Sequence, residues 1–138
     1  MPSICNLFGD MKWSCNIYMD DDEFQTSCVI PDFSYSSFDD IFTGSWQNTQ
    51  FDIVESEYVR KYKVGSKRYS HTVFKGVIIK LEMNKKFKSH TVIRPNGLFH
   101  YPPKKELRHT QMEDIEFEKK YDVYTNDEID ARYLITTA

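Results

Sequence analysis

Four histidines, His71, His90, His100 and His109, are the side chains best suited to acid–base work near neutral pH. Two of them sit in a repeated tetrapeptide, Ser-His-Thr-Val, at residues 70–73 and 89–92. Such a repeat could build a duplicated metal or catalytic element. The expected chain path argues against it. A hairpin turning about residues 84–86 puts Lys80 near His90 and leaves His71 about nine residues further along. That is on the order of 30 Å of strand, whereas ligands of one metal sit about 2 Å from it. The repeat is read as coincidence.

Other chemistry finds little support. Gly44-Ser45 is not the Gly-x-Ser-x-Gly elbow of a serine hydrolase. The five glycines are scattered, and neither the Gly-x-x-x-x-Gly-Lys nor the Gly-x-Gly-x-x-Gly phosphate-binding pattern occurs. Asp20-Asp21-Asp22-Glu23 is acidic enough for calcium, but Gln25 stands where the loop's sharp turn needs glycine. Asp39-Asp40 and Glu113, Asp114 and Glu116 supply carboxylate pairs, a pattern too common on surfaces to specify a site. Three cysteines, Cys5, Cys15 and Cys28, lack the Cys-x-x-Cys spacing of a zinc ribbon and are read as free thiols. No catalytic residue, metal or cofactor is assigned. The balance is against an enzyme; a site assembled from scattered acids and histidines is the alternative.

What stands out is charge. The net charge is −3. Residues 1–59 carry a net −10, residues 60–108 a net +12 and residues 109–138 a net −5. The candidate site for an anionic partner is Arg60, Lys61, Lys63, Lys67 and Arg68, joined by Lys85, Lys86 and Lys88. These two groups are expected at two hairpin tips, which would form one cationic rim if they lay side by side. The opposing expectation is that the acidic ends pack on the basic middle and neutralise it.

The elements that must position these residues are mainly strands. Phe51, Ile53, Val54, Tyr58, Val59, Tyr62 and Val64 suit a pleated surface. Gly65-Ser66 then reads as a two-residue hairpin turn. That turn sets Val64 opposite Lys67, Lys63 opposite Arg68, Tyr62 opposite Tyr69 and Arg60 opposite His71. Like charges facing each other at the tip would be relieved by an anion or by nearby acids. Val77, Ile79, Leu81 and Met83 alternate with Ile78, Lys80, Glu82 and Asn84, which predicts a strand with one apolar face. Gly76 is expected to mark a bulge, and Thr91-Val92-Ile93 to be the return strand.

Elsewhere, Ile4 to Tyr18 is expected to hold a short helix or strand and then a strand. Asp20 to Glu23 would begin a short helix, ended by Pro31. Ser36 to Phe42 is read as a helical turn closed by Gly44. The segment from Pro95 to His109, with Pro102-Pro103, is a loop. Glu113 to Lys120 is a short helix capped by Asp114, with Glu116 and Lys120 as an ion pair. Tyr121 to Tyr124 and Arg132 to Ile135 are expected as strands about a turn at Asn126-Asp127-Glu128. The fold class expected is α+β, a mainly antiparallel sheet of hairpins with a few short helices, in one globular domain over residues 1–138.

Several stretches resemble a bacterial family of uncharacterised proteins, a domain of unknown function. They are Val73-Phe74-Lys75-Gly76-Val77, Met83 to Lys88 with Thr91-Val92, Met112 to Tyr124, and Asp130 to Thr136. The likeness covers about residues 50–136. It implies the soluble C-terminal part of membrane-associated proteins, with hydrophobic helices ahead of the domain. It carries over no catalytic residue. This chain departs from the pattern, since that hydrophobic region is missing and the chain ends at Thr136-Thr137-Ala138, so a truncated piece or a shortened member is expected, which puts membrane attachment of this polypeptide in doubt.

No apolar run approaches the roughly 20 residues of a membrane span, and residues 1–6 do not form a secretory signal. The expected location is cytoplasmic, with membrane association in a longer protein. The expected function is a non-enzymatic binding module, acting through the basic hairpin surface on an anionic membrane or an acidic protein. A weak nucleic-acid binder is a further alternative, disfavoured by the overall acidity and by the absence of Trp13 and Trp46 from the basic segment.

Overall fold

The computed structural model describes residues 10–15, 21–97 and 103–136. The expected elements before Asp10 and around Ile17-Tyr18, and the residues Cys5 and His100, lie outside the described residues. The elements run β1 (Lys12–Cys15), α1 (Asp21–Ser27), β2 (Tyr35–Trp46), β3 (Thr49–Val64), β4 (Lys67–Glu82), β5 (Thr91–Pro95), β6 (Arg108–Thr110), α2 (Ile115–Glu118), β7 (Tyr121–Thr125) and α3 (Glu128–Thr136). This is the expected α+β class, dominated by antiparallel sheet.

The chain groups into two compact units. The first comprises residues 1–25 and 30–85, the second residues 26–29 and 86–138. In the first, β1, β2, β3 and β4 pair in that order as one antiparallel sheet. Gln47 and Asn48 both take positive φ, 47° and 65°, and turn β2 into β3. That is the backbone of a mirror-image turn, whose twist matches the strands it joins. Gly65 takes φ 61° and turns β3 into β4. The register after Gly65 is the expected one, with Val64 opposite Lys67, Lys63 opposite Arg68, Tyr62 opposite Tyr69 and Arg60 opposite His71.

Two bulges bend this sheet. Asp39 and Asp40 together face Glu55, and Val73 is the extra residue between Phe74 and Thr72. The bulge expected at Gly76 therefore falls three residues earlier. Ser36 to Phe42 is strand, not the expected helical turn. Its bulge breaks the alternation that marks a strand, and Gly44 lies within the strand instead of closing a helix. A side chain there would meet the Phe51 ring at 2.8 Å and the Met11 backbone at 3.2 Å, so any larger residue must displace the Phe51 ring.

One face of the sheet is covered. Phe24 of α1, Ile30, Tyr58 and Ile78 form its core, with Phe33, Phe38, Val73 and Phe74 against them. Tyr58 is fully buried and rings it: Phe33 lies 4.6 Å and Phe38 6.1 Å from it, centroid to centroid. The opposite face is apolar too but open. Val77, Ile79, Leu81 and Met83, the expected apolar face of their strand, are each more than half exposed, and Ile78 between them is buried. The alternation was legible; the direction in which it points was decided by α1.

In the second unit β5, β7 and β6 pair in that order. Thr91-Val92-Ile93 thus pairs with β7, not back onto residues 77–83 as expected. Partners distant in the sequence replaced the local hairpin. Arg108–Thr110 is a strand where a loop was expected. Arg132 to Ile135 belongs to a helix, not a strand. Asp127 accepts hydrogen bonds from the Ile129 and Asp130 amides at 3.0 and 3.1 Å and so caps it. Ala131 and Ile135, one turn apart, then pack with Met112, Val123 and Phe117. A second cluster holds Cys28, Val92, Leu107 and Tyr124. Asp114 caps α2 as expected, accepting from Glu116 and Phe117. Lys119, not Lys120, completes the ion pair with Glu116, at 2.8 Å.

Candidate functional site

The β3–β4 ribbon outruns its sheet. Strand β2 begins at Tyr35, opposite Val59. Beyond that point the Ser34 hydroxyl accepts a hydrogen bond from the Lys61 amide at 3.1 Å, and no third strand follows among the described residues. Residues 60–72 are all exposed. They form a two-stranded arm, roughly 17 Å long from Arg60 to the turn at about 3.4 Å per residue.

The arm carries Arg60, Lys61, Lys63, Lys67 and Arg68, and residues 60–71 contain no carboxylate. Strand alternation and register sort these cations onto two sides. Lys61, Lys63 and Arg68 share one side, with Ser70. Arg60 and Lys67 share the other, with Tyr62, Tyr69, His71 and Val64. Tyr62 and Tyr69 stack with centroids 5.6 Å apart and planes 20° from parallel, and His71 meets Tyr62 edge-on at 6.0 Å. Lys61 Nζ stands 5.3 Å above the Tyr35 ring. A concavity of about 540 Å³ is lined by Lys61, Tyr62, Lys63, Arg68, Tyr69 and Ser70.

Among the described residues no acid pairs with an arm cation; Glu57 meets the arm only at its root, where it accepts from the Thr72 hydroxyl. Among the described residues Glu57 pairs with Lys75 at 3.3 Å, and Glu23 of α1 with Lys80 at 2.8 Å. The hydrogen bond from Lys80 to Glu23 holds the lysine above its usual pKa. The hydroxyl of Thr72, then Lys75, hold the Glu57 carboxyl below its usual pKa. Acidic and basic segments thus neutralise each other in mid-sheet. None of the five arm cations forms an ion pair among the described residues.

Lys85, Lys86 and Lys88 are exposed but are not part of the arm. Lys85 follows the far end of β4 from Lys67, and that strand spans roughly 50 Å at 3.3 Å per residue. Lys86 and Lys88 belong to the second unit.

The histidines are dispersed in role. His71 is on the arm, His90 Nε2 lies 2.9 Å from the Ser27 carbonyl, and His109 pairs with Asp122 at 3.2 Å. Among the described residues no three His, Cys, Asp or Glu side chains are grouped to hold a metal. Two other concavities belong to the first unit. One, about 520 Å³, is lined by Met11, Phe42, Trp46, Phe51, Ile53, Ile79 and Leu81 and offers no titratable group. The other holds Asp39, Glu55, Glu57 and Lys75, where Glu57 is pushed away from the range useful for proton transfer at neutral pH. Sequence reasoning missed the first, because an apolar alternation normally signals a covered face.

Residues 72–138 match a family described as a protein of unknown function, DUF3137. The uncharacterised bacterial domain that the sequence resembles is thus matched over part of this chain. DUF3137 takes in Lys85, Lys86 and Lys88 and leaves out Arg60, Lys61, Lys63, Lys67 and Arg68. No curated protein and no solved structure matches. Among the described residues no helix is long and apolar enough to cross a membrane.

Proposed function

We propose that the protein is a non-enzymatic binding module that holds an anionic partner on the β3–β4 arm. One observation carries the reading: five exposed cations stand on a projecting ribbon with no carboxylate of their own and no ion pair among the described residues. Lys63 opposite Arg68 costs a little in the free protein, because like charges face each other across the strands. A bound anion turns that cost into attraction. Each cation near a dense anionic surface contributes on the order of 1 kcal/mol. A leaflet of anionic headgroups, an acidic protein and a nucleic acid share the required chemistry. The family resemblance favours attachment to a membrane in a longer protein, at its cytoplasmic face.

Immobilised heparin tests the general reading, since it is a dense polyanion with no further specificity. The protein should be retained and then released by salt. Lys63→Glu with Arg68→Glu should elute at markedly lower salt, with unchanged thermal unfolding. Equal retention of variant and parent would remove the arm from the reading.

A further inference from the structure

We infer that the partner of the arm is a nucleic-acid duplex, with the ribbon seated in a groove. This rests on the reading of the arm as a polyanion site. It adds the shape of the partner, and the arm's two-sided charge carries it. Lys61, Lys63 and Arg68 project from one side of the ribbon, and Arg60 and Lys67 from the other. A flat leaflet can meet only one side of a ribbon. A groove between two phosphate strands meets both at once.

Dimensions agree. The major groove of a DNA duplex is about 12 Å wide and 8.5 Å deep, enough to admit a two-stranded ribbon. The arm's roughly 17 Å reach exceeds that depth. Its tip is Gly65-Ser66, the narrowest residues it carries, and nothing lies within 4 Å of the position where a Gly65 side chain would begin. Tyr62 and Tyr69 add two phenol hydroxyls beside Arg60 and Lys67, suited to phosphate and sugar oxygens.

The chain's overall acidity is a weaker objection than the net charge of −3 implies. Charges more than about 8 Å apart are largely screened at physiological salt. The acids Glu57, at the root of the arm, and Glu23, on α1, are each paired with a lysine outside it, Lys75 and Lys80. Partner recognition is then mainly through phosphates, positioning the protein without reading sequence.

The test uses the whole chain and a fluorescein-labelled DNA duplex of about 20 base pairs, read by fluorescence anisotropy. Vesicles of phosphatidylserine and phosphatidylcholine, and heparin, are run in parallel. With three to five phosphates neutralised, the dissociation constant should rise roughly 40- to 500-fold between about 50 and 200 mM salt. Lys63→Glu with Arg68→Glu, and separately Arg60→Glu with Lys67→Glu, should each weaken duplex binding at least about tenfold. The matching glutamine pairs should show smaller losses in the same order, which guards against misfolding. Vesicle binding without duplex binding, or loss from one side of the ribbon alone, overturns the duplex and leaves the polyanion reading intact. If duplex, vesicles and heparin all fail to bind, both readings fall together.

Discussion

Thr72 and Glu57 show how a single contact is written into the titration of this protein. The Thr72 hydroxyl donates to Glu57 Oε1 at 2.9 Å and Lys75 Nζ donates to Oε2 at 3.3 Å. Both contacts favour the charged carboxyl, so its pKa falls on folding. A depressed carboxyl pKa stabilises the fold at pH values above the unfolded pKa. That contribution fades as pH falls through the folded pKa. Thr72→Val should therefore bring the Glu57 carboxyl nearer the ordinary glutamate value in an NMR titration. Urea unfolding should show the variant less stable near pH 7, with the gap closing as the solution is taken to about pH 3. A gap independent of pH would mean that Thr72 acts through packing. No spacing rule announced this contact. It depends on the Val73 bulge, which turns Thr72 to the side of the strand where Glu57 sits.

The strands show both what is legible in a sequence and what is not. Pairing across the Gly65-Ser66 turn was readable residue by residue, because a two-residue turn leaves no freedom in register. The α2 cap was readable from Asp114 alone, since a carboxylate at that place satisfies amides that the helix cannot. The β2 strand was not readable, because Asp39, Asp40 and Gly44 are poor strand formers tolerated by a bulge and by the Phe51 ring. The pairing of β5 with β7 was hidden because its partners lie about 30 residues apart. In β4 the alternation was legible, but the face it marks is the open one, and the buried residue is Ile78. Ile78→Ala should cost about 2–5 kcal/mol, the usual range for a buried isoleucine. Ile79→Ala should stay within about 0.5 kcal/mol, as for an exposed position. Chemical unfolding of the two variants checks this. Reversed magnitudes would put Ile79 on the covered face instead.

At the scale of the whole molecule, the uneven charge resolves into two different uses of lysine and arginine. Lys75 and Lys80 are spent on Glu57 and Glu23 within the first sheet. The five arm cations meet no such acids among the described residues, so they are the ones left for a partner. The segregation seen along the chain is thus partly structural and partly functional, and only a folded arrangement separates the two. Residue-resolved NMR during titration with heparin tests this division most directly. Amide shifts should move for residues 60–71 and return when salt is added, while residues 75–80 and the β5–β7 sheet stay fixed. Shifts centred on Lys85, Lys86 and Lys88, with the arm unmoved, would contradict the account.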